Sequence, residues 1–126
     1  MSIRVAYRCG HVETLRDPRH ADDYRAKARH EDCLACRYAR AVHDPTVTPF
    51  SYGNRTLVVR AHDIRRRQMR QLGETIIKAR LHGDDGVADV LWNARRCLSH
   101  QTDPLKVIAM RDAWDEIAER YKETLQ

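Results

Sequence analysis

Three of the four cysteines and one of the seven histidines fall into two tight groups, Cys9-Gly10-His11 and Cys33-Leu34-Ala35-Cys36. Thiolates and a neutral imidazole suit a borderline-soft divalent ion, and four of them close a tetrahedral sphere. The expected cofactor is therefore one Zn²⁺ held by Cys9, His11, Cys33 and Cys36. The C-x-x-C half has the usual ligand spacing. The C-x-H half is shorter, but positions i and i+2 project to one side of an extended strand. A closed sphere leaves no place for substrate, so the metal reads as structural. The competing reading is three buried thiols and a surface histidine, since free cysteine packs as a small hydrophobe.

The same residues spell a second chemistry. His11-Val12-Glu13 followed by Cys33-x-x-Cys36 is the skeleton of the zinc nucleobase deaminases, in which three ligands hold the metal and a glutamate moves protons. On that reading His11, Cys33 and Cys36 are ligands and Glu13 is the acid/base. Three features oppose it. Asp32 stands where that signature has proline, Pro18 leaves no room for a long helix from His11, and Cys9 would crowd an open metal. Elsewhere, His30 is the substitute ligand if His11 does not serve. Cys97-x-x-His100 is either half of a second site or a packed thiol on a helix face. His20, His43, His62 and His82 read as surface or capping residues.

The elements that must position the ligands can be followed along the chain. Ile3, Val5 and Tyr7 alternate on one face of a strand, Gly10 allows a tight turn, and Val12–Leu15 returns as a second strand. Asp17-Pro18 reads as N-cap and first residue of a helix over 18–30, carrying Ala21, Tyr24 and Ala28. The second ligand pair falls at the start of another helix, where the dipole favours thiolate, and Asp44-Pro45 stops it. Residues 45–60 read as a linker with a short apolar run, Thr56–Arg60, that is a third strand or the lead-in to a helix. Asp63 is the expected N-cap of a helix over 64–81 with Met69, Leu72, Ile76 and Ala79 as its stripe. After a turn at 83–86, a helix over 86–99 sets Val87, Val90, Leu91, Ala94 and Leu98 on one face. Asp103-Pro104 opens the last helix, with Val107, Met110, Trp114, Ile117, Tyr121 and Leu125 in register. The fold class is α+β: a zinc-knuckle hairpin with short helices over 1–44, the linker, and an antiparallel three-helix bundle over 61–126.

Tyr7-Arg8-Cys9-Gly10-His11, a charged helix with a tyrosine, and Cys33-x-x-Cys36 with a basic-aromatic pair resemble small bacterial and phage zinc-finger proteins of pattern Y-x-C-G-H…C-P-x-C-Y. The resemblance covers residues 5–40. It departs at Leu34, where proline is common, and at Arg37, where an aromatic residue usually follows the last cysteine. It implies the metal, and no activity.

The chain carries a net charge of +5, and residues 60–82 alone hold seven basic and two acidic side chains. A basic stripe attracts phosphates, although charged helix faces are commonly only solvated. Arginines 65, 66, 67 and 70 crowd the expected start of a helix, against its dipole, which an anionic partner would offset. With Arg37 and Arg40 of the zinc module they form the candidate nucleic-acid-binding set. With one Phe, two Trp and five Tyr, mostly on expected core faces, backbone contact is favoured over recognition of exposed bases. A non-enzymatic nucleic-acid binder with a regulatory role is thus the first reading, a protein–protein adaptor the second, and the deaminase the third. No apolar run approaches a membrane span. Met1-Ser2-Ile3-Arg4-Val5 lacks a signal peptide's apolar core, and the thiols suit the cytoplasm.

Overall fold

The computed structural model describes residues 2–16 and 19–124, with side chains omitted at 118 and 121–124. The expected cap at Asp17-Pro18 and the stripe positions Tyr121 and Leu125 lie outside what is described. The fold is mixed: a two-stranded antiparallel hairpin followed, among the described residues, by six helices. It divides into two compact units, residues 1–40 and 41–126, with the boundary inside one helix.

In the first unit, β1 (Ile3–Ala6) pairs with β2 (Val12–Leu15), Ile3 opposite Leu15 and Ala6 opposite Val12. The alternation works as expected at Val5, which is 1% exposed. Helix α1 (Ala21–Ala28) buries Ala28 to the same degree, and the Arg8 N–H donates to the Ala28 and Glu31 carbonyls, each at 2.9 Å. Tyr24, expected on the inner stripe, is exposed instead. Helix α2 (Leu34–Val42) begins directly after Cys33, whose carbonyl accepts from the Arg37 N–H at 3.0 Å.

The second unit is organised on α3 (Arg55–Leu81), which starts nine residues earlier than the expected helix. Its N-cap is Asn54, whose side chain accepts from the Leu57 N–H at 2.8 Å; Asp63 is interior. Thr56–Arg60 is therefore helical, not a strand. Val58 and Val59 are buried there, so tertiary burial outweighs the preference of β-branched residues for strands. Helix α3 packs against α4 (Asp85–His100), α5 (Pro104–Ala109) and α6 (Arg111–Thr124). The expected last helix is thus two, meeting at Met110. Asp84 and Asp103 cap α4 and α5.

The core joins Ala61, Met69, Leu72, Ile76 and Ala79 of α3 to Ala88, Leu91 and Leu98 of α4 and Val107 of α5, with Trp114 partly buried against it. Val90, Met110 and Ile117, three expected stripe members, are exposed. The stretch read as a linker is strapped down. Val47 enters the core, the Thr48 N–H donates to the Ser99 carbonyl at 2.8 Å, and the Ser51 N–H donates to the Thr102 carbonyl at 2.9 Å.

Candidate metal centre

The hairpin turn sets the first two ligands. The Tyr7 N–H donates to the His11 carbonyl and the Gly10 N–H to the Tyr7 carbonyl, both at 2.9 Å. Gly10 adopts φ +92°, a conformation that costs glycine little and other residues much. From α2's side, the Cys33 N–H donates to the Cys9 sulfur at 3.3 Å. This bond brings the second ligand pair to the first, and Cys36 follows in the opening turn of α2.

The four ligand atoms lie within 4.8 Å of one another. His11 Nδ1 stands 3.3 Å from the Cys9 sulfur, 3.5 Å from Cys33 and 3.2 Å from Cys36. In a tetrahedral site, arms of about 2.3 Å to sulfur and about 2.0 Å to nitrogen give a nitrogen–sulfur edge of about 3.5 Å. The group therefore fits a single ion, and it could hold a metal with protein donors at every corner. Neither His30 nor Cys97 joins it, and no second cluster of this kind forms among the described residues. Cys97, expected as a packed thiol, is exposed, and His100 Nδ1 pairs with the Thr48 hydroxyl at 3.2 Å.

The thiols repel as anions. The Cys33 N–H, chiefly, pulls the Cys9 thiol down to about 6. Cys36 is pushed up to about 11 by its contact with the Cys33 sulfur, then by desolvation and by Cys9. A divalent ion relieves that repulsion, which is the electrostatic reason such a cluster takes up metal.

Around the ligands, charges are matched. Asp32 receives Arg8 Nε at 3.2 Å and Arg40 Nη2 at 2.5 Å, and the Arg8 hydrogen bond foremost holds its carboxyl below the usual range. Arg37 meets Glu31 at 3.5 Å. Arg37 and Arg40 of the expected nucleic-acid set are thus engaged with the two carboxylates just before Cys33. Glu13 accepts from the Tyr7 hydroxyl at 2.6 Å, and that bond, first, raises the Tyr7 phenol to about 12.

The α3 arginines separate. Arg65 is fully buried; its Nη1 donates to the Thr48 carbonyl at 3.0 Å and the Gln101 carbonyl at 2.9 Å, and its Cζ sits 4.0 Å from the Phe50 ring centroid. It is a structural residue, contrary to expectation. Arg66, Arg67 and Arg70 are exposed and line a recess of about 370 Å³ with Asp63. Arg67 also pairs with Asp115 of α6 at 3.1 Å. Because α3 begins at Arg55, these arginines lie well inside the helix, and the argument from an unfavourable dipole end does not hold.

His62, expected at the surface, is 4% exposed, with Nε2 3.4 Å from Asp44. Asp44 in turn accepts from the Thr46 N–H and hydroxyl. No local pattern marks this pair, since Asp44-Pro45 reads only as a helix stop. Trp92, outside the stripe expected for its helix, is 47% exposed. No helix among the described residues is long and apolar enough to cross a membrane. Comparison with protein-family models, curated proteins and solved structures finds no match.

Proposed function

We propose that this chain is a zinc-stabilised, non-enzymatic module that meets a nucleic-acid backbone through the exposed arginines of α3. The observation that carries the reading is the convergence of Cys9, His11, Cys33 and Cys36, four protein donors for four tetrahedral corners. Three cysteines and a histidine at these separations suit Zn²⁺ best, and bound zinc supplies a cross-link between the hairpin turn and the start of α2. With every corner taken by protein and Glu13 held by Tyr7, the deaminase assignment loses both its open metal position and its proton carrier. Thiols kept for metal suit a reducing compartment, which favours the cytoplasm. The packing of α3 on α4, α5 and α6 supports reading these helices as an antiparallel bundle, with Arg66, Arg67 and Arg70 as its cationic face.

A second reading, a protein-binding adaptor, is favoured by the exposed Ile77, Leu81 and Val90. One experiment separates them. Purified protein is expected to contain one zinc per chain, lost in the Cys33→Ser/Cys36→Ser variant. Its affinity for oligonucleotides should fall with salt, with a log–log slope of about −0.9 per phosphate contact on duplex. Changing Arg66, Arg67 and Arg70 together to Gln should flatten that slope without loss of helix, because Gln and Arg have similar helix propensity. Metal-free folded protein defeats the first half of the proposal. Absence of salt-sensitive binding in the wild type defeats the second and leaves the adaptor.

A further inference from the structure

Trp92 stands half in water in the middle of α4, and an indole gains much from burial, so its exposure is informative. Contacts on either side fix where it lies. Three residues before it, Asp89 meets Arg80 of α3 at 4.0 Å. Three residues after it, the Arg95 Nε donates to the Met69 carbonyl at 3.0 Å, and a Cβ at Gly73 would sit 3.6 Å from the same nitrogen. These two crossings, 80 with 89 and 73 with 95, bracket 77 with 92. Trp92 therefore lies along the outer seam of the two helices at the level of Ile77, which is 61% exposed. Leu81, one turn on, is more exposed still. The Arg96 guanidinium carbon is 5.7 Å from the Trp92 ring centroid.

The seam continues into the arginines. At 3.6 residues per turn, Arg66, Arg70, Ile77 and Leu81 fall within about 60° of one another on α3. Arg66 and Arg70 are one turn apart, and the rise from Arg66 to Ile77 is about 16 Å, the reach of a few nucleotides. Among the described residues neither arginine has an ion-pair partner, whereas Arg67 is held by Asp115 and Arg80 by Asp89.

We propose that this stripe is a platform for single-stranded nucleic acid, on which Arg66 and Arg70 meet phosphates and an unpaired base stacks on Trp92. The proposal rests on the arginine-face reading above and narrows it from a backbone to a single strand. Bases in a duplex are stacked on one another and offer no free face, whereas every unpaired base does. An aromatic ring on one stripe with two available cations, and with the Arg96 guanidinium lying over it, is the combination that single strands use. A purely protein-binding face has no need of the arginines. Stacking of this kind is indifferent to base identity, so no sequence preference is expected. Asp63 and Glu74 near the stripe limit the phosphate contacts to a small number, and the salt slope should be correspondingly shallow.

The test compares an oligothymidylate with a duplex of equal length, using the intact metal-bound protein. Trp92→Ala is expected to weaken single-strand binding by between about 5- and 150-fold, to leave duplex binding and the salt slope unchanged, and to be largely rescued in Trp92→Phe. Arg66→Gln/Arg70→Gln should weaken both ligands and flatten both slopes. Should Trp92→Ala misfold by circular dichroism, indole emission in a Trp114→Phe background replaces it, with quenching expected from the single strand alone. Unchanged single-strand affinity in Trp92→Ala, or an equal loss for duplex, overturns the platform while the backbone reading stands. No binding of either ligand by the wild type fails both. A dimer that dissolves on Trp92→Ala, with emission insensitive to oligonucleotide, assigns the face to protein contact and overturns the proposal.

Discussion

Arg65 and Arg66 are the same side chain one residue apart, and they have opposite roles. Arg65 spans from α3 to the carbonyls of Thr48 and Gln101, so it ties the 45–54 strap and the end of α4 to the central helix. Burial lowers its pKa to about 10, which still leaves it charged near neutrality. Removing it orphans two carbonyls. Arg65→Ala is expected to cost about 3 kcal/mol, whereas Arg66→Ala should stay within about 0.5 kcal/mol, by denaturant unfolding. His62 gives a pH-dependent outcome. Burial, then Arg65, push its pKa below 6.5, outweighing Asp44, while Arg66 lowers it further and Asp63 opposes. A histidine whose folded pKa is depressed is neutral when folded and protonates first when unfolded. Its contribution is thus complete above about pH 6.5 and shrinks as pH falls below that value. The stability difference between wild type and His62→Gln should accordingly narrow between pH 7 and pH 5. A difference that stays constant or widens on acidification contradicts this account.

At the level of elements, the start of α3 shows how a cap and a core together override a local preference. Thr56-Leu57-Val58-Val59 favours a strand on its own. Asn54 satisfies the Leu57 N–H, Gly53 takes φ +118° just before it, and Val58 and Val59 bury on the inner face. Helix then gives these residues more than an isolated strand could. Asn54→Ala is expected to lower stability by about 1 kcal/mol, and Asn54→Asp to retain it, because either side-chain oxygen accepts the same bond. Thermal melts of the two variants check this. A substitution at Gly53 should be worse than its small size suggests. Its Cβ would fall 3.2 Å from Leu57 Cδ2 in a backbone conformation that side chains disfavour.

For the whole molecule, the two units differ in what holds them. Among the described residues, the first buries only Val5 and Ala28 to near-completeness and relies on its hairpin bonds and the ligand cluster. The second has a cluster of ten buried apolar residues spread over the strap, α3, α4 and α5. A module with so little apolar burial would, on the proposed metal-bound reading, draw its folding energy from the ion. Chelation is therefore expected to abolish amide protection across 1–40 while α3 and α4 keep theirs, measured by hydrogen exchange. Equal loss across both units, or none in the first, contradicts that division. The charge pattern belongs to this scale too. Residues 60–82 carry the excess of positive charge, and all of its basic residues but Arg65 face water.

The candidate ligand set was legible in the sequence because its determinants are local. Two short Cys/His spacings, a glycine at the turn and a helix start after Cys33 depend on neighbours within a few residues, and the fold only had to bring the two pairs together. The hairpin and the central stripe of Met69, Leu72, Ile76 and Ala79 were legible for the same reason: periodicity is written in the chain. The fates of Arg65, His62, Cys97 and Trp92 were not. Each depends on residues tens of positions away: Thr48 and Gln101 accept from Arg65, Asp44 faces His62, and the α3–α4 crossings set which side of α4 is covered. The pairing of the 45–54 strap with residues 99–102 was equally hidden, because Pro- and Ser/Thr-rich composition signals the absence of regular structure and says nothing of where the backbone finds its partners. Local chemistry thus named the candidate metal ligands, and tertiary packing alone decided which arginines and which tryptophan meet solvent.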